Sequence, residues 1–125
     1  MKRLLPVCLL VCCCLFAVNT AWADTEPGNN DPSTTTDILV VNGASQSGSI
    51  TASTDPTDYF KLVTTSDGNI TLNISTGNGN LVYFYLYDSD GTTQFNYNYL
   101  YGGSSTLTIY GLAAGTYYAR VTTGG

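Results

Sequence analysis

Residues 69–75 read Asn-Ile-Thr-Leu-Asn-Ile-Ser, and this stretch decides the fold class. Ile70, Leu72 and Ile74 alternate with polar residues, which places the apolar side chains on one face of an extended strand. A period of two is typical of a half-buried antiparallel strand. No ten-residue window of the chain shows the apolar stripe of a helix, whose period is 3.6 residues. The chain is therefore predicted to be all-β.

The same alternation recurs along the chain, for example at Leu107 and Ile109 and at Tyr117, Ala119 and Val121. Segments rich in Gly, Asn, Asp and Ser separate these stretches at roughly ten-residue spacing, as in an antiparallel sandwich or barrel. Strands are predicted over residues 37–41, 47–52, 58–64, 69–75, 81–87, 93–100, 105–110 and 116–122. Residues 88–91 and 113–116 are predicted to form tight turns.

The first 23 residues differ from the rest of the chain. Lys2 and Arg3 precede an apolar run over residues 4–18, and residues 21–23 (Ala-Trp-Ala) place small side chains at a cleavage position. This pattern predicts a signal peptide that is cleaved after Ala23. A retained membrane anchor is the alternative, but the run is shorter than the roughly 20 residues that a membrane-spanning helix needs. We expect the exported chain to begin at Asp24, free of the membrane.

All four cysteines, Cys8, Cys12, Cys13 and Cys14, lie inside this predicted leader. They therefore supply neither disulfides nor metal ligands to the exported domain. Lipid modification is the alternative, but it needs a small residue just before the cysteine, and Val11 precedes Cys12. Residues 24–36 are polar and contain two prolines, which predicts a linker or an arm lying on a domain of residues 37–125.

Charge restricts the partners of the exported chain. Residues 24–125 contain nine acidic residues and two basic ones, Lys61 and Arg120, which gives a net charge of −7. An acidic balance of this size argues against nucleic acid as a partner. The carboxylates suit a hard cation such as calcium. Zinc prefers the nitrogen of His and the sulfur of Cys, and residues 24–125 contain neither residue type.

Tyrosine is abundant, with ten residues in the chain. If Val82, Phe84 and Leu86 face the core, the alternating tyrosines of the same strand lie outside, and a second same-face series follows in sequence. These candidate ligand-binding residues are Tyr83, Tyr85, Tyr87, Tyr97, Tyr99 and Tyr101. An aromatic face suits a polymer, a sugar or a protein surface, because it buries much area for little lost side-chain entropy. The alternative is that cross-strand tyrosine pairs only stabilise the sheet.

Three segments together resemble the bacterial pre-peptidase C-terminal domain: residues 55–62 (Asp-Pro-Thr-Asp-Tyr-Phe-Lys-Leu), 82–91 (Val-Tyr-Phe-Tyr-Leu-Tyr-Asp-Ser-Asp-Gly) and 112–121 (Leu-Ala-Ala-Gly-Thr-Tyr-Tyr-Ala-Arg-Val). The resemblance covers about residues 26–125. It implies a jelly-roll-like β-sandwich, similar to the collagen-binding domains of clostridial collagenases, and an accessory rather than catalytic role. The family's usual final strand is missing, so we expect the natural polypeptide to continue.

The resemblance also implies a calcium site. In calcium-binding relatives, an acidic arm before the first strand meets an Asp-x-x-Asp pair. The matching positions are Glu26, Asn30, Asp31, Asp55 and Asp58. Gly28 stands where such relatives tend to carry another acid, which weakens the implied site. The alternative is a solvated arm next to an ordinary turn.

Catalysis has little support in the sequence. The chain has no histidine to activate a serine. Asp88 and Asp90 could act as a pair on a glycoside, but both belong to the predicted tight turn. We therefore expect no enzyme activity. The sequence favours a secreted accessory module that binds an extracellular protein or polysaccharide as part of a longer exported protein. The alternative is a structural or secretion-assisting domain without a ligand.

Overall fold

A computed structural model describes residues 6–11, 22–23, 30–35, 38–39, 41, 46–51 and 54–124. Eight strands join in one mixed sheet, with the order β2-β4-β1-β6-β8-β5-β3 and with β7 paired to β6. They are β1 (Pro6–Val11), β2 (Trp22–Ala23), β3 (Ile38–Leu39), β4 (Gln46–Ser49), β5 (Thr57–Thr64), β6 (Gly68–Tyr87), β7 (Gln94–Leu112) and β8 (Gly115–Thr123). The all-β prediction is confirmed. In the described part of the chain, no helix is long and apolar enough to cross a membrane.

β6 and β7 are the longest strands and form one antiparallel hairpin. The sequence predicts two shorter strands in place of each, separated by turn-rich segments at residues 76–80 and 101–104. These interruptions are wrong, because each strand is continuous. Thr76 pairs with Gly103 and Leu81 pairs with Tyr101, so four residues of β6 lie opposite Gly102 alone. The Gly- and Asn-rich segment forms an irregularity within the hairpin, and the strands continue past it.

The irregularity also changes which face of β7 is buried. Leu100 and Leu107 are both 6% exposed, although they lie an odd number of positions apart and would face opposite ways in a regular strand. Gly102 and Gly103, at φ of 78° and 74°, adopt the left-handed conformation that glycine tolerates best. Their backbone therefore resets the alternation of β7, so that both halves of the strand bury a leucine.

The other edge of β6 is shared by two strands. β8 pairs with residues 82–87 and β1 pairs with residues 72–76, both antiparallel to β6. β5 lies outside β8 and carries β3 in parallel, whereas β4 lies outside β1 and carries β2 in parallel. The sheet thus has two halves, joined through the long hairpin.

The two halves enclose one core. Its buried residues form a single cluster that draws on both halves. The predicted inward residues of β6 are confirmed, since Leu72, Val82, Phe84 and Leu86 are fully buried. The full set is Leu39, Ile50, Phe60, Leu62, Ile70, Leu72, Ile74, Val82, Phe84, Leu86, Leu100, Leu107, Tyr117, Ala119 and Val121.

The described part of the predicted arm, residues 30–35, packs on the domain. The Thr35 hydroxyl donates a hydrogen bond of 2.7 Å to the carbonyl oxygen of Tyr59. Pro32 covers Gly91 in the β6–β7 turn so closely that a Cβ atom at Gly91 would lie 2.6 Å from the proline Cγ. The arm therefore contacts both β5 and the turn between β6 and β7.

The contact between Pro32 and Gly91 generates a stability prediction. Gly91→Ala forces a side chain into the left-handed region, at φ of 68°, and drives it into Pro32. We expect a loss of about 2–3 kcal/mol in the free energy of unfolding. Gly103→Ala is the matched control, since its φ is also positive but nothing lies within 4 Å of the added Cβ; it should cost only about 1 kcal/mol. Urea denaturation measures both, and equal losses would contradict the packing of the arm on the turn.

Candidate functional site

The outer face of β5, β8, β6 and β7 carries a cluster of tyrosines. β6 directs its buried residues inward, so Tyr83 and Tyr85 face outward and are half-buried. Strand register places Tyr99 opposite Tyr83 and Tyr97 opposite Tyr85. We call this surface the tyrosine face; its members are Tyr59, Tyr83, Tyr85, Tyr87, Tyr97, Tyr99, Tyr101 and Arg120.

Ring contacts connect the tyrosine face across strands. Tyr85 and Tyr97 are stacked, with centroids 5.5 Å apart, and Tyr85 also stacks on Tyr87 at 5.9 Å. Tyr83 contacts Tyr99 at 5.9 Å and Tyr97 at 6.2 Å. Offset and tilted pairs at these separations are the favourable arrangements for aromatic rings. The rings therefore form a continuous surface.

Exposure is graded across the tyrosine face. Tyr97, Tyr99 and Tyr101 on β7 are 49%, 53% and 66% exposed, whereas Tyr87 is only 8% exposed. Tyr87 is covered by its neighbours Tyr85 and Tyr59. The structure brings the six predicted tyrosines to one face, with Tyr87 as its buried floor and the β7 tyrosines as its accessible part.

Arg120 of β8 lies at the centre of the tyrosine face. Its register partners are Tyr59 on β5 and Tyr85 on β6, and its guanidinium carbon lies 5.8 Å and 5.3 Å from the centroids of these two rings. Both distances are within the range of cation–π attraction. Arg120 Nη1 also donates a hydrogen bond of 3.3 Å to the Tyr87 hydroxyl. The cation on β8 thus contacts three tyrosines that belong to two other strands, β5 and β6.

Burial and the contacts between Arg120 and the tyrosines together shift the pKa values in this cluster. Burial disfavours the charged guanidinium, but the hydrogen bond to Tyr87 and the nearby Tyr59 raise the pKa of Arg120 above its usual value. Burial also raises the pKa values of Tyr59 and Tyr85, against the opposing effect of Arg120. Arg120 is therefore cationic, and Tyr59 and Tyr85 are neutral, at physiological pH.

Tyr59 and Arg120 were not predicted as site residues, although both lie in segments that carry the family resemblance. The alternation in β5 and β8 does indicate that the side chains of Tyr59 and Arg120 point outward, because the neighbouring residues in each strand are buried. These are Phe60, Leu62, Ala119 and Val121. The position of Tyr59 and Arg120 beside Tyr85 depends on strand order in the sheet, where β8 lies between β5 and β6 although it follows both of them in the sequence.

The candidate calcium residues lie in two places. Asp31, in the arm, accepts hydrogen bonds from the Ser33 N–H and hydroxyl, which lower the pKa of its carboxyl. Asp58 is 1% exposed on the core side of β5, and Asp55 Oδ1 is buried without a hydrogen-bond partner among the described residues. Asn30 lies next to Asp31, and Glu26 lies outside the described residues. Residues described by the structure contain no group of three His, Cys, Asp or Glu placed to hold a metal ion.

The turn between β6 and β7 contains the two carboxylates considered for glycoside chemistry. Asp90 accepts hydrogen bonds from the N–H groups of Thr92 and Thr93 and from the Thr93 hydroxyl. These bonds lower the pKa of Asp90 to about 2. Asp88 Oδ1 accepts the Ser89 N–H. A general acid needs a raised pKa and a free proton, so Asp90 acts as the cap of a turn.

The part of the chain that carries this geometry matches a known family. A family model described as bacterial pre-peptidase C-terminal domain matches residues 56–123, which is more than half of the chain. The matched residues include β5 to β8 and the whole tyrosine face. The resemblance predicted from three sequence segments is confirmed. A search of the curated proteins finds no match.

The hydrogen bonds of Asp90 generate a pH prediction. Because folding lowers the pKa of Asp90 from 3.8 to about 2, its carboxylate stabilises the folded state above about pH 4, and this contribution is lost as pH falls through 2. Asp90→Asn should therefore lower the melting temperature at pH 7, and the gap to the original protein should close between pH 4 and pH 2. Asp88→Asn, at a carboxylate that accepts one backbone hydrogen bond in the same turn, should have a smaller effect. Thermal melts at several pH values measure this, and a gap independent of pH would refute it.

Proposed function

The chain belongs to the family of bacterial pre-peptidase C-terminal domains, and from this we propose that it is an accessory module that attaches an exported protein to an extracellular polymer or protein surface. The family consists of non-catalytic domains of extracellular bacterial proteins. The tyrosine face is the observation that carries the binding function. The predicted signal peptide, cleaved after Ala23, would deliver the module to the outside of the cell.

The tyrosine face fits a solid or extended ligand. Its accessible residues lie on one strand, at every second position from Tyr97 to Tyr101, and a strand advances about 3.3 Å per residue. The three rings therefore extend over roughly 13 Å. Flat rings with polar hydroxyl tips can stack on sugar or proline rings and donate hydrogen bonds at the same time. A shape of this kind suits repeated contacts along a polymer more than enclosure of a small molecule.

Binding is tested with two exposed tyrosines and a matched control. The exported protein is mixed with insoluble collagen, cellulose, chitin or peptidoglycan, and the co-sedimenting fraction is measured. Tyr99→Ser with Tyr101→Ser should weaken binding to the retained polymer by at least about tenfold, because exposed aromatic anchors carry much of the binding energy. Tyr110→Ser is the control, since Tyr110 is 74% exposed on β7 and is not a member of the tyrosine face.

The outcome separates the two candidate functions. Binding that survives the double substitution would refute a role of the tyrosine face. If no polymer retains the protein and the double substitution only lowers the melting temperature, the tyrosines stabilise the sheet and the domain has a structural or secretion-assisting role.

We further propose that calcium binds where the arm meets β5, with ligands from Glu26, Asn30, Asp31, Asp55 and Asp58. Asp55 Oδ1 supports this, because a buried carboxylate oxygen without a hydrogen bond is costly and a cation would satisfy it. If each of the four described candidates gave one oxygen, they would supply four of the six to eight that calcium takes. The remaining oxygens would have to come from Glu26, from backbone carbonyls and from water.

Calcium binding should raise the melting temperature. At 1 mM calcium and a Kd of about 10 μM, binding to the folded state alone would stabilise it by about 2.7 kcal/mol. Asp55→Asn should abolish this increase, whereas Asp67→Asn, at the opposite end of β5, should leave it intact. Thermal melts in calcium and in EDTA provide the measurement, and an unchanged melting temperature of the original protein would exclude the site.

A further inference from the structure

β1 occupies a place in the middle of the sheet, although it lies within the predicted leader. One of its edges pairs with β4, from Pro6 opposite Ser49 to Leu9 opposite Gln46. The other edge pairs with β6, from Val7 opposite Thr76 to Val11 opposite Leu72. Both pairings are antiparallel. β1 therefore connects β4 and β2 to the rest of the sheet.

β1 and β8 run in the same direction along the same edge of β6. β8 pairs with residues 82–87, and the Gly124 N–H donates a hydrogen bond of 2.9 Å to the Leu81 carbonyl. β1 follows at residues 72–76. We call the place between β4 and residues 72–76 of β6 the strand slot. Leu72 and Ile74 face the core beside it and are at most 1% exposed.

Cleavage after Ala23 would empty the strand slot. The backbone groups of β4 and β6 that pair with β1 would lose their hydrogen-bond partners beside the buried residues Leu72 and Ile74. An open edge in the middle of a sheet is a template for another strand. A small molecule does not reproduce a row of backbone hydrogen bonds, whereas an extended peptide does.

We propose that the exported protein accepts an extended segment of another polypeptide in the strand slot, in the place that β1 holds before cleavage. This rests on the leader cleavage that the proposed function assumes. The segment runs antiparallel to β6 and carries apolar residues opposite Leu72, Ile74 and Thr76, the register positions where the leader has Val11, Leu9 and Val7. The positions between them, opposite Asn73 and Ser75, tolerate polar residues, because Asn73 and Ser75 lie on the outer side of β6.

A register-specific cross-link tests this proposal. Residues 24–125 contain no cysteine, so Ser75→Cys gives the exported protein a single thiol. The probe is a peptide of residues 6–11, in which Cys8 stands opposite Ser75 and is supplied as a mixed disulfide with glutathione. The introduced thiolate attacks the peptide sulfur and releases glutathione, and mass spectrometry measures the captured peptide.

Thr71→Cys is the matched control, because Thr71 lies on the same strand and face but outside residues 72–76. Capture at position 75 should exceed capture at position 71 by at least about tenfold, since directly opposed residues are close enough for a disulfide. A peptide with lysine at the positions of Val7, Leu9 and Val11 should lose this preference.

Three outcomes would overturn the proposal. Equal capture at positions 71 and 75 would show that the slot does not align a strand. Preferential disulfide formation between two copies of the Ser75→Cys protein would show that the edge is closed by a second copy. An intact mass that includes residues 1–23 would show that β1 remains in place. None of these outcomes depends on polymer sedimentation, so the proposal can fail while the tyrosine face still binds.

Discussion

The period-two alternation of β6 is the constraint on which the rest of the structure depends. Ile70, Leu72, Ile74, Val82, Phe84 and Leu86 all occupy even positions, and all are buried. One strand therefore contributes buried residues to both halves of the core. The residues between them lie on the opposite face of the strand. The position of the tyrosines follows, because every odd residue from Tyr83 to Tyr87 must lie opposite the core.

One half-buried cation, Arg120, organises the tyrosine face. Arg120 lies between the rings of Tyr59 and Tyr85 and bonds to the Tyr87 hydroxyl, so its desolvation is offset by aromatic faces and a phenol oxygen. Residues 24–125 contain nine acidic residues, yet none of them belongs to the tyrosine face. The ring faces beside Arg120 leave the tyrosine face without an anionic group. A planar guanidinium stacks on such rings better than an ammonium group does. The tyrosine face thus carries one positive charge and no acidic residue within an acidic protein.

Sequence reasoning predicted what depends on local periodicity and missed what depends on pairing. The all-β class, the buried residues of β6 and the outward tyrosines follow from alternation alone. The predicted strand breaks near residues 76–80 and 101–104 were wrong, because Gly- and Asn-rich composition indicates positive φ and weak pairing but does not distinguish a turn from an irregularity inside a hairpin. Tyr59 and Arg120 were missed for a different reason, since their proximity to Tyr85 arises from β8 lying between β5 and β6. Alternation determines the face of a side chain, while its neighbours on that face depend on strand order.

The tyrosine face and the strand slot both depend on β6, yet they are separated on it. A strand in the slot would hydrogen-bond only to residues 72–76, whereas the tyrosines of β6 lie beyond the irregularity at residues 77–80. A strand in the slot would therefore make no hydrogen bond to the part of β6 that carries the tyrosines. What the two share is the core, because Leu72 and Ile74 belong to the same cluster as Phe84 and Val121. A strand that covers this core would stabilise the folded state as a whole and leave the spacing of the tyrosines as Arg120 sets it.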